Sequence, residues 1–138
     1  MKEDNVFIDT NIFIYSIDDL GEEKKGIASE LITEQFLSGK LIVSFQVVQE
    51  FLNTCIRKKV PDSETEKYLK SVIFPLWEIY PTRDLYLQAI RTKEHYRYSF
   101  YDSLIIAAAL EGNCKTLYSE DLQHNQKIES LTIINPFK

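Results

Sequence analysis

The 138 residues predict an α/β fold, a sandwich with a mostly parallel central sheet flanked by helices. Three observations carry this reading. Short apolar, β-branched runs alternate with longer stretches of helical periodicity, the pattern of strands joined by crossover helices. Only 4 Gly and 4 Pro punctuate the chain, and no linker, repeat or low-complexity stretch divides it, so residues 1–138 read as a single domain. At 44% apolar, with 8 Tyr and 8 Phe, the composition suffices to fill a core at this length.

The first element is Val6-Phe7-Ile8, a short strand that stops at Asp9-Thr10-Asn11. A helix is expected from Glu22 to Leu37, with Ile27, Leu31 and Phe36 on its apolar face and Gly39 as its stop signal. Leu41-Ile42-Val43 is the second strand. Ser44 then caps a helix that puts Phe45, Val48, Leu52, Cys55 and Ile56 on one side. Asp62 to Phe74 is a further helix, halted by Pro75. Leu76-Trp77-Glu78-Ile79 is the third strand, ended by Pro81. Thr82 caps a helix to Tyr96; Ser99 opens the next, Phe100 to Leu110, which Gly112-Asn113 ends. Lys115-Thr116-Leu117-Tyr118 and Leu131-Thr132-Ile133-Ile134 are the remaining strands.

No apolar run approaches the roughly 18–20 residues that cross a bilayer. The N-terminus, Met1-Lys2-Glu3-Asp4-Asn5, has no secretory h-region or cleavage site, so a cytoplasmic location is expected. Cys55 and Cys114 stand far apart with no Cys/His clustering. Cys55 falls on the apolar side of its helix, and a buried reduced thiol is expected rather than a disulfide or zinc ligand. The net charge of −5 runs against nucleic-acid handling. Four carboxylates gathered around a cation would explain most of it. Without them −5 becomes −1, and two bound divalent cations bring it to the same value.

In a parallel sheet, ligands gather beyond the carboxyl ends of the strands, near a topological switch point. Asp9 ends the first strand, and Asp121 follows the Lys115–Tyr118 strand in Ser119-Glu120-Asp121, so both fall on one rim. Asp102 lies in the first turn of a helix whose run Leu104-Ile105-Ile106-Ala107-Ala108-Ala109-Leu110 is apolar enough to be central. Carboxylates converging there repel one another and resist ionisation unless a cation joins them. A donor set of hard oxygens selects Mg²⁺ or Mn²⁺. Each residue also has an ordinary alternative. Asp9 can cap a helix starting near Thr10, and Asp102 fits a capping box opened by Ser99. Ser119 can cap a short helix with Glu120 and Asp121 at its N-terminal dipole. Glu50 projects with Gln46, Asn53 and Arg57, opposite the apolar side of its helix, where a solvated polar face is the default.

These residues also form four acidic motifs in order. They are Phe7-Ile8-Asp9-Thr10-Asn11, Val48-Gln49-Glu50-Phe51, Tyr101-Asp102-Ser103-Leu104-Ile105-Ile106-Ala107-Ala108-Ala109 and Leu117-Tyr118-Ser119-Glu120-Asp121-Leu122-Gln123. In this the chain resembles PIN domains, specifically the compact VapC-type toxin ribonucleases of prokaryotic type II toxin–antitoxin modules, over nearly its whole length. No acidic position of that pattern is missing. The resemblance implies a PIN fold and catalytic and metal-binding roles for Asp9, Glu50, Asp102 and Asp121, with one or two Mg²⁺ or Mn²⁺ ions. It also implies cleavage of single-stranded or looped RNA to 5′-phosphate and 3′-hydroxyl ends, a homodimer, and inhibition by a cognate antitoxin protein. Glu50 enters the set on the resemblance alone.

On this reading two ions, roughly 3.5–4 Å apart, would activate a water and stabilise the leaving oxygen. Glu50 orients or deprotonates that water, and Asn11 and Ser119 fix the carboxylates from behind. RNA contact needs positive charge and stacking surfaces. Arg57, Lys58 and Lys59 supply charge after Glu50; Arg91, Lys93 and Arg97 do so before Asp102, interleaved with Tyr96, Tyr98 and Tyr101. Solvated helix faces and buried rings are the alternative for all of these. His95 and His124 are expected at the surface. A phosphohydrolase with Asp9 as nucleophile would need a D-x-D pattern, but position 11 is Asn. A PIN nuclease of RNA processing or decay, and a non-catalytic PIN module binding RNA or protein, are the other readings. The last should have lost carboxylates.

Overall fold

The computed structural model describes residues 4–18 and 21–138. Met1, Lys2 and Glu3 of the N-terminal reading lie outside the described residues, as do Asp19 and Leu20. Six strands, β1 (Asn5–Ile8), β2 (Leu41–Ser44), β3 (Trp77–Ile79), β4 (Cys114–Tyr118), β5 (Lys127–Ile128) and β6 (Leu131–Ile134), form one sheet in the order β3-β2-β1-β4-β6-β5. Every pairing is parallel except that of β5 with β6. The chain starts at β1, builds outward through β2 and β3, then returns to the other side of β1 with β4. The direction of winding therefore reverses between β1 and β4. Phe7, Ile8, Val43 and Leu117 are fully buried, as continuous apolar runs in a covered parallel sheet require.

Six helices flank the sheet: α1 (Thr10–Ile17), α2 (Glu22–Ser38), α3 (Phe45–Arg57), α4 (Asp62–Tyr68), α5 (Arg83–Tyr96) and α6 (Phe100–Glu111). α1 packs on α2 and α3, and α5 packs on α6. α6 is the central helix its sequence promised, with Ser103 through Ala109 all buried. The caps read at Thr82 and Ser99 are formed, Thr82 Oγ1 accepting from Leu85 N at 3.1 Å and Ser99 Oγ from Asp102 N at 3.2 Å. Among the described residues no helix is long and apolar enough to cross a membrane. Cys55 and Cys114 are free and buried.

Several local expectations are corrected. On α2, Ala28 and Ile32 enter the core, while Phe36 is exposed and Ile27 and Leu31 are only half-buried. On α3, Phe45, Val48 and Cys55 are buried and Leu52 packs on the core as expected, but Phe51 is buried too and Ile56 is 65% exposed. Ser44 occupies the N-cap position of α3, but its hydroxyl makes no cap bond and lies buried without a partner. The single helix read from Asp62 to Phe74 is α4 followed by a π turn, Leu69–Ile73, and a 3₁₀ turn, Phe74–Leu76. Pro75 has no N–H to continue the ladder, and the short last turn places it where no donor is needed. The π turn meanwhile buries Leu69 and Ile73. β5 was not anticipated, being two residues too few to show a period; Glu129, at φ 55°, lies between it and β6.

Candidate active site

Asp9 and Asp121 stand on either side of the switch point. Ile8 is level with Tyr118 in the β1–β4 register, and Asp9 N donates to the Tyr118 carbonyl at 2.9 Å. Asp9 is therefore held at the rim by the sheet itself, beside Ser119. Its side chain, 6% exposed, is fixed on both oxygens. Oδ1 accepts from Thr10 N at 2.8 Å, capping α1, and Oδ2 accepts from Ser119 Oγ at 2.8 Å. The cap and the site are the same carboxylate. Ser119 Oγ also accepts from Asp121 N at 3.2 Å, and Asn11 Nδ2 donates to Asp121 Oδ2 at 2.5 Å. Asn11 and Ser119 thus bond two different carboxylates, Asp121 and Asp9.

Glu50 is half-buried rather than solvated. Thr10 Oγ1 donates to its Oε1 at 2.7 Å, and Gln46 Nε2 donates to its Oε2 at 3.0 Å. On the face read as solvated, Asn53 and Arg57 are exposed as expected, but Glu50 is half-buried and Gln46 buried, and Glu50, Asn53 and Arg57 line the rim cleft. Asp9, Glu50, Asp102 and Asp121 line one cleft of about 300 Å³, together with Asn53, Thr54 and Arg57. Two larger hollows lie elsewhere and contain none of the four. Size does not mark the site; its carboxylates do.

The electrostatics follow from this crowding. Burial pushes the Asp9 carboxyl up to about 7, the charges of Glu50 and Asp121 add to the effect, and the bonds from Ser119 and Thr10 oppose it. Asp121 stands at the open edge. Partial desolvation and the charges of Asp102 and Glu120 raise its carboxyl as well, against the bond from Asn11. Glu120 itself is turned aside, paired with Lys24 and accepting from Tyr15 Oη at 2.5 Å. None of the four cleft carboxylates has an ion-pair partner among the described residues, and Arg57 is the single cation of the lining. The donor set is all oxygen, which suits a hard divalent cation. Among the described residues no three acidic, His or Cys groups form a ready-made chelate.

The basic and aromatic residues separate. Arg57 lines the cleft, whereas Lys58 pairs with Asp18 at 3.0 Å and Lys59 lies just past α3 in a left-handed conformation, φ 60°. Arg91 lines a different hollow with His95 and Glu129, and Arg97 ends α5 at φ 63°. Tyr101, beside Asp102, is 66% exposed. Tyr98 Oη is committed to Gln126 and accepts from Gln123 N at 3.1 Å, and Tyr96 packs against the core. His95 is exposed as expected. His124 is not: half-buried, its Nδ1 accepts from Asn135 N at 2.9 Å. The two side chains that hold Glu50, Thr10 and Gln46, had no role assigned from sequence. Thr10 sits inside the first acidic motif, and Gln46 precedes Glu50 by one helical turn, a spacing that signals contact but not burial.

With this geometry in place, comparison with known proteins identifies the class. The PIN domain family model matches residues 6–128, so the chain belongs to the PIN domain family. No protein of curated function matches the sequence significantly. Among solved structures, a toxin–antitoxin complex from Klebsiella pneumoniae is similar with a TM-score of 0.66 and 17% identity, covering 97% of this chain and 99% of that one. FitAcB from Neisseria gonorrhoeae is similar at 0.66 and 16%, covering 96% and 98%. VapC20 from Mycobacterium tuberculosis, a sarcin–ricin loop cleaving toxin, is similar at 0.62 and 18%, covering 82% and 87%. At these identities the likeness is one of fold.

Proposed function

We propose that this PIN domain is a Mg²⁺- or Mn²⁺-dependent endoribonuclease, the cytoplasmic toxin of a toxin–antitoxin pair. The observation that carries the reading is the cleft. Carboxylates from four separate segments, Asp9, Glu50, Asp102 and Asp121, line it without ion-pair partners among the described residues, and burial resists the ionisation of Asp9. Such an arrangement is costly unless a cation completes it. Asp9, Asp102 and Asp121 would hold the cation, with Glu50 contributing directly or through water. A bound divalent cation supplies Lewis-acid chemistry, acidifying water and stabilising charge on phosphate.

The chain's own groups do the rest. Glu50, held by Thr10 and Gln46, orients the attacking water and takes its proton. The water oxygen bonds to phosphorus, the bond from phosphorus to the 3′ oxygen breaks, and that oxygen takes a proton from solvent water while the proton held by Glu50 is released to solvent. The products carry 5′-phosphate and 3′-hydroxyl ends. Arg57, within the lining, meets a substrate phosphate, and exposed Tyr101 offers a ring to a base. Two of the similar structures, the Klebsiella pneumoniae complex and VapC20, are named as a toxin–antitoxin complex and a toxin, which supports a cognate antitoxin as partner. A homodimer is the expected assembly.

The test is cleavage of structured and single-stranded RNA by the purified chain. Mg²⁺ or Mn²⁺ should be required, EDTA should abolish cleavage, and Asp9→Asn, Asp102→Asn and Asp121→Asn should each fall by about 100-fold or more. Cleavage that survives EDTA and Asp9→Asn would refute the reading. Growth arrest on expression, relieved by Asp9→Asn and by a small protein encoded next to the chain's gene, would distinguish a toxin from an RNA-processing nuclease.

A further inference from the structure

Gln46 stands apart from every other residue near the cleft. It is 3% exposed, yet it is a primary amide in a helix turn otherwise filled by Phe45, Val47 and Val48. Both of its N–H groups are used. Nε2 donates to Glu50 Oε2 at 3.0 Å and to the Tyr101 carbonyl at 3.0 Å. Both partners are acceptors, so the amide can face them only with its nitrogen, and its orientation is fixed by chemistry. The other end is left unsatisfied: Oε1 is buried with no hydrogen-bond partner.

A buried acceptor without a donor destabilises the fold, and an apolar side chain of the same size would avoid that cost. Packing therefore does not explain an amide at this position. Its two bonds do. One ends on the α3 carboxylate of the cleft, the other on the backbone one residue before Asp102, in the first turn of α6. No other side-chain hydrogen bond among the described residues joins α3 to α6. Glu50 is held by Thr10 of α1 and by Gln46, one turn earlier on α3, whose amide also reaches α6.

We infer that Gln46 is a positioning residue that locks the Glu50 carboxylate and the Asp102-bearing turn of α6 into one fixed relation before substrate arrives. The inference rests on the nuclease reading above and assigns a device within that site. Gln46 touches neither substrate nor cation. It sets the direction in which Glu50 presents its oxygens, and groups standing behind cleft carboxylates in this way typically change activity by about 10- to 100-fold. Gln46 bonds the Tyr101 backbone carbonyl and not the exposed ring that would meet RNA, so RNA binding through Arg57 and that ring should change little.

The experiment compares wild type with Gln46→Met, which keeps length and volume, and Gln46→Leu, which removes the amide with a different shape. Steady-state cleavage of an RNA oligonucleotide in Mn²⁺ should show kcat reduced about 10- to 100-fold with KM within about 3-fold of wild type. The melting temperature of the metal-free protein should fall by no more than a few degrees in at least one variant, since removal of the orphaned Oε1 offsets much of the loss of the two Nε2 bonds. In the metal-free wild type, the Gln46 side-chain amide protons should exchange slowly with solvent, as both are bonded and buried. Unchanged kcat in both variants would overturn the inference. So would a loss of kcat accompanied by a large fall in melting temperature in both variants, since Gln46 would then serve only the fold. An inactive wild type that binds no Mn²⁺ would instead sink the nuclease reading, and the inference with it.

Discussion

Asp9 holds two roles at once, and the residue scale is where they meet. It caps α1 through Oδ1 and faces the cleft with its charge, so both readings of its position are true. Its carboxyl is raised from 3.8 to about 7, and the sign of the consequence follows from linkage. The folded metal-free protein holds the Asp9 proton more tightly than the unfolded chain does. Stability is therefore largest below about pH 4, falls as pH rises through the window from about 4 to 7, and is flat in this contribution above it. Asp9→Asn keeps an acceptor for Thr10 N and can donate to Ser119, so the cap survives. The variant should be more stable than wild type by about 1–4 kcal/mol at pH 8 and indistinguishable near pH 4. Urea unfolding at the two pH values checks this, and equal stabilities at pH 8 would contradict the burial of an unpaired charge. Asp9, Asp102 and Asp121 were legible in the sequence because strand ends and an acidic turn on an apolar helix are local patterns. Glu50 was not, because its place in the cleft is set by contact with Thr10 of α1, a non-local neighbour that helical spacing does not show.

At the scale of elements, strands read more easily than the faces of helices. β1 and β2 are short apolar runs buried on both sides, and such runs have few other uses. α1 was visible only as an alternative, since Thr10-Asn11-Ile12-Phe13-Ile14 is rich in β-branched and aromatic residues with weak helix preference; burial of Ile12, Phe13 and Ile14 outweighs it. The face of α2 was misjudged because Ala28 carries no periodic signal by size, yet it is fully buried. The end of α6 is tighter than its sequence suggests. A Cβ on Gly112 would overlap Ile42 Cδ1 and press on Ile79 Cδ1 at 3.4 Å. Gly112→Ala should cost about 1–3 kcal/mol through overpacking, read as a lower denaturation midpoint. A neutral substitution would mean that Ile42 yields without strain.

The whole molecule places chemistry by topology. Reversal of winding between β1 and β4 brings Asp9 and Ser119 to one level, and α3 and α6 carry Glu50 and Asp102 to the same rim. The fold class was written in the alternation of strands and helices; the order of strands, and with it the neighbours of β1, was not, because pairing is non-local. On the proposed reading, acidity collected at one rim would make the metal-free protein the less stable state. Addition of about 5 mM Mg²⁺ or Mn²⁺ at pH 8 should raise the melting temperature of wild type by several degrees, and the rise should shrink or vanish in Asp121→Asn. An equal rise in the variant would place the ion elsewhere.

The most direct measurement is a calorimetric titration of Mn²⁺ into the metal-free chain at pH 8, set against the same titration of Asp9→Asn. If the rim carboxylates form one cation-holding centre, wild type should bind saturably at one or two sites and Asp9→Asn should bind at least about 10-fold more weakly while remaining folded. Equal binding by the two proteins, or no binding by wild type, would contradict it.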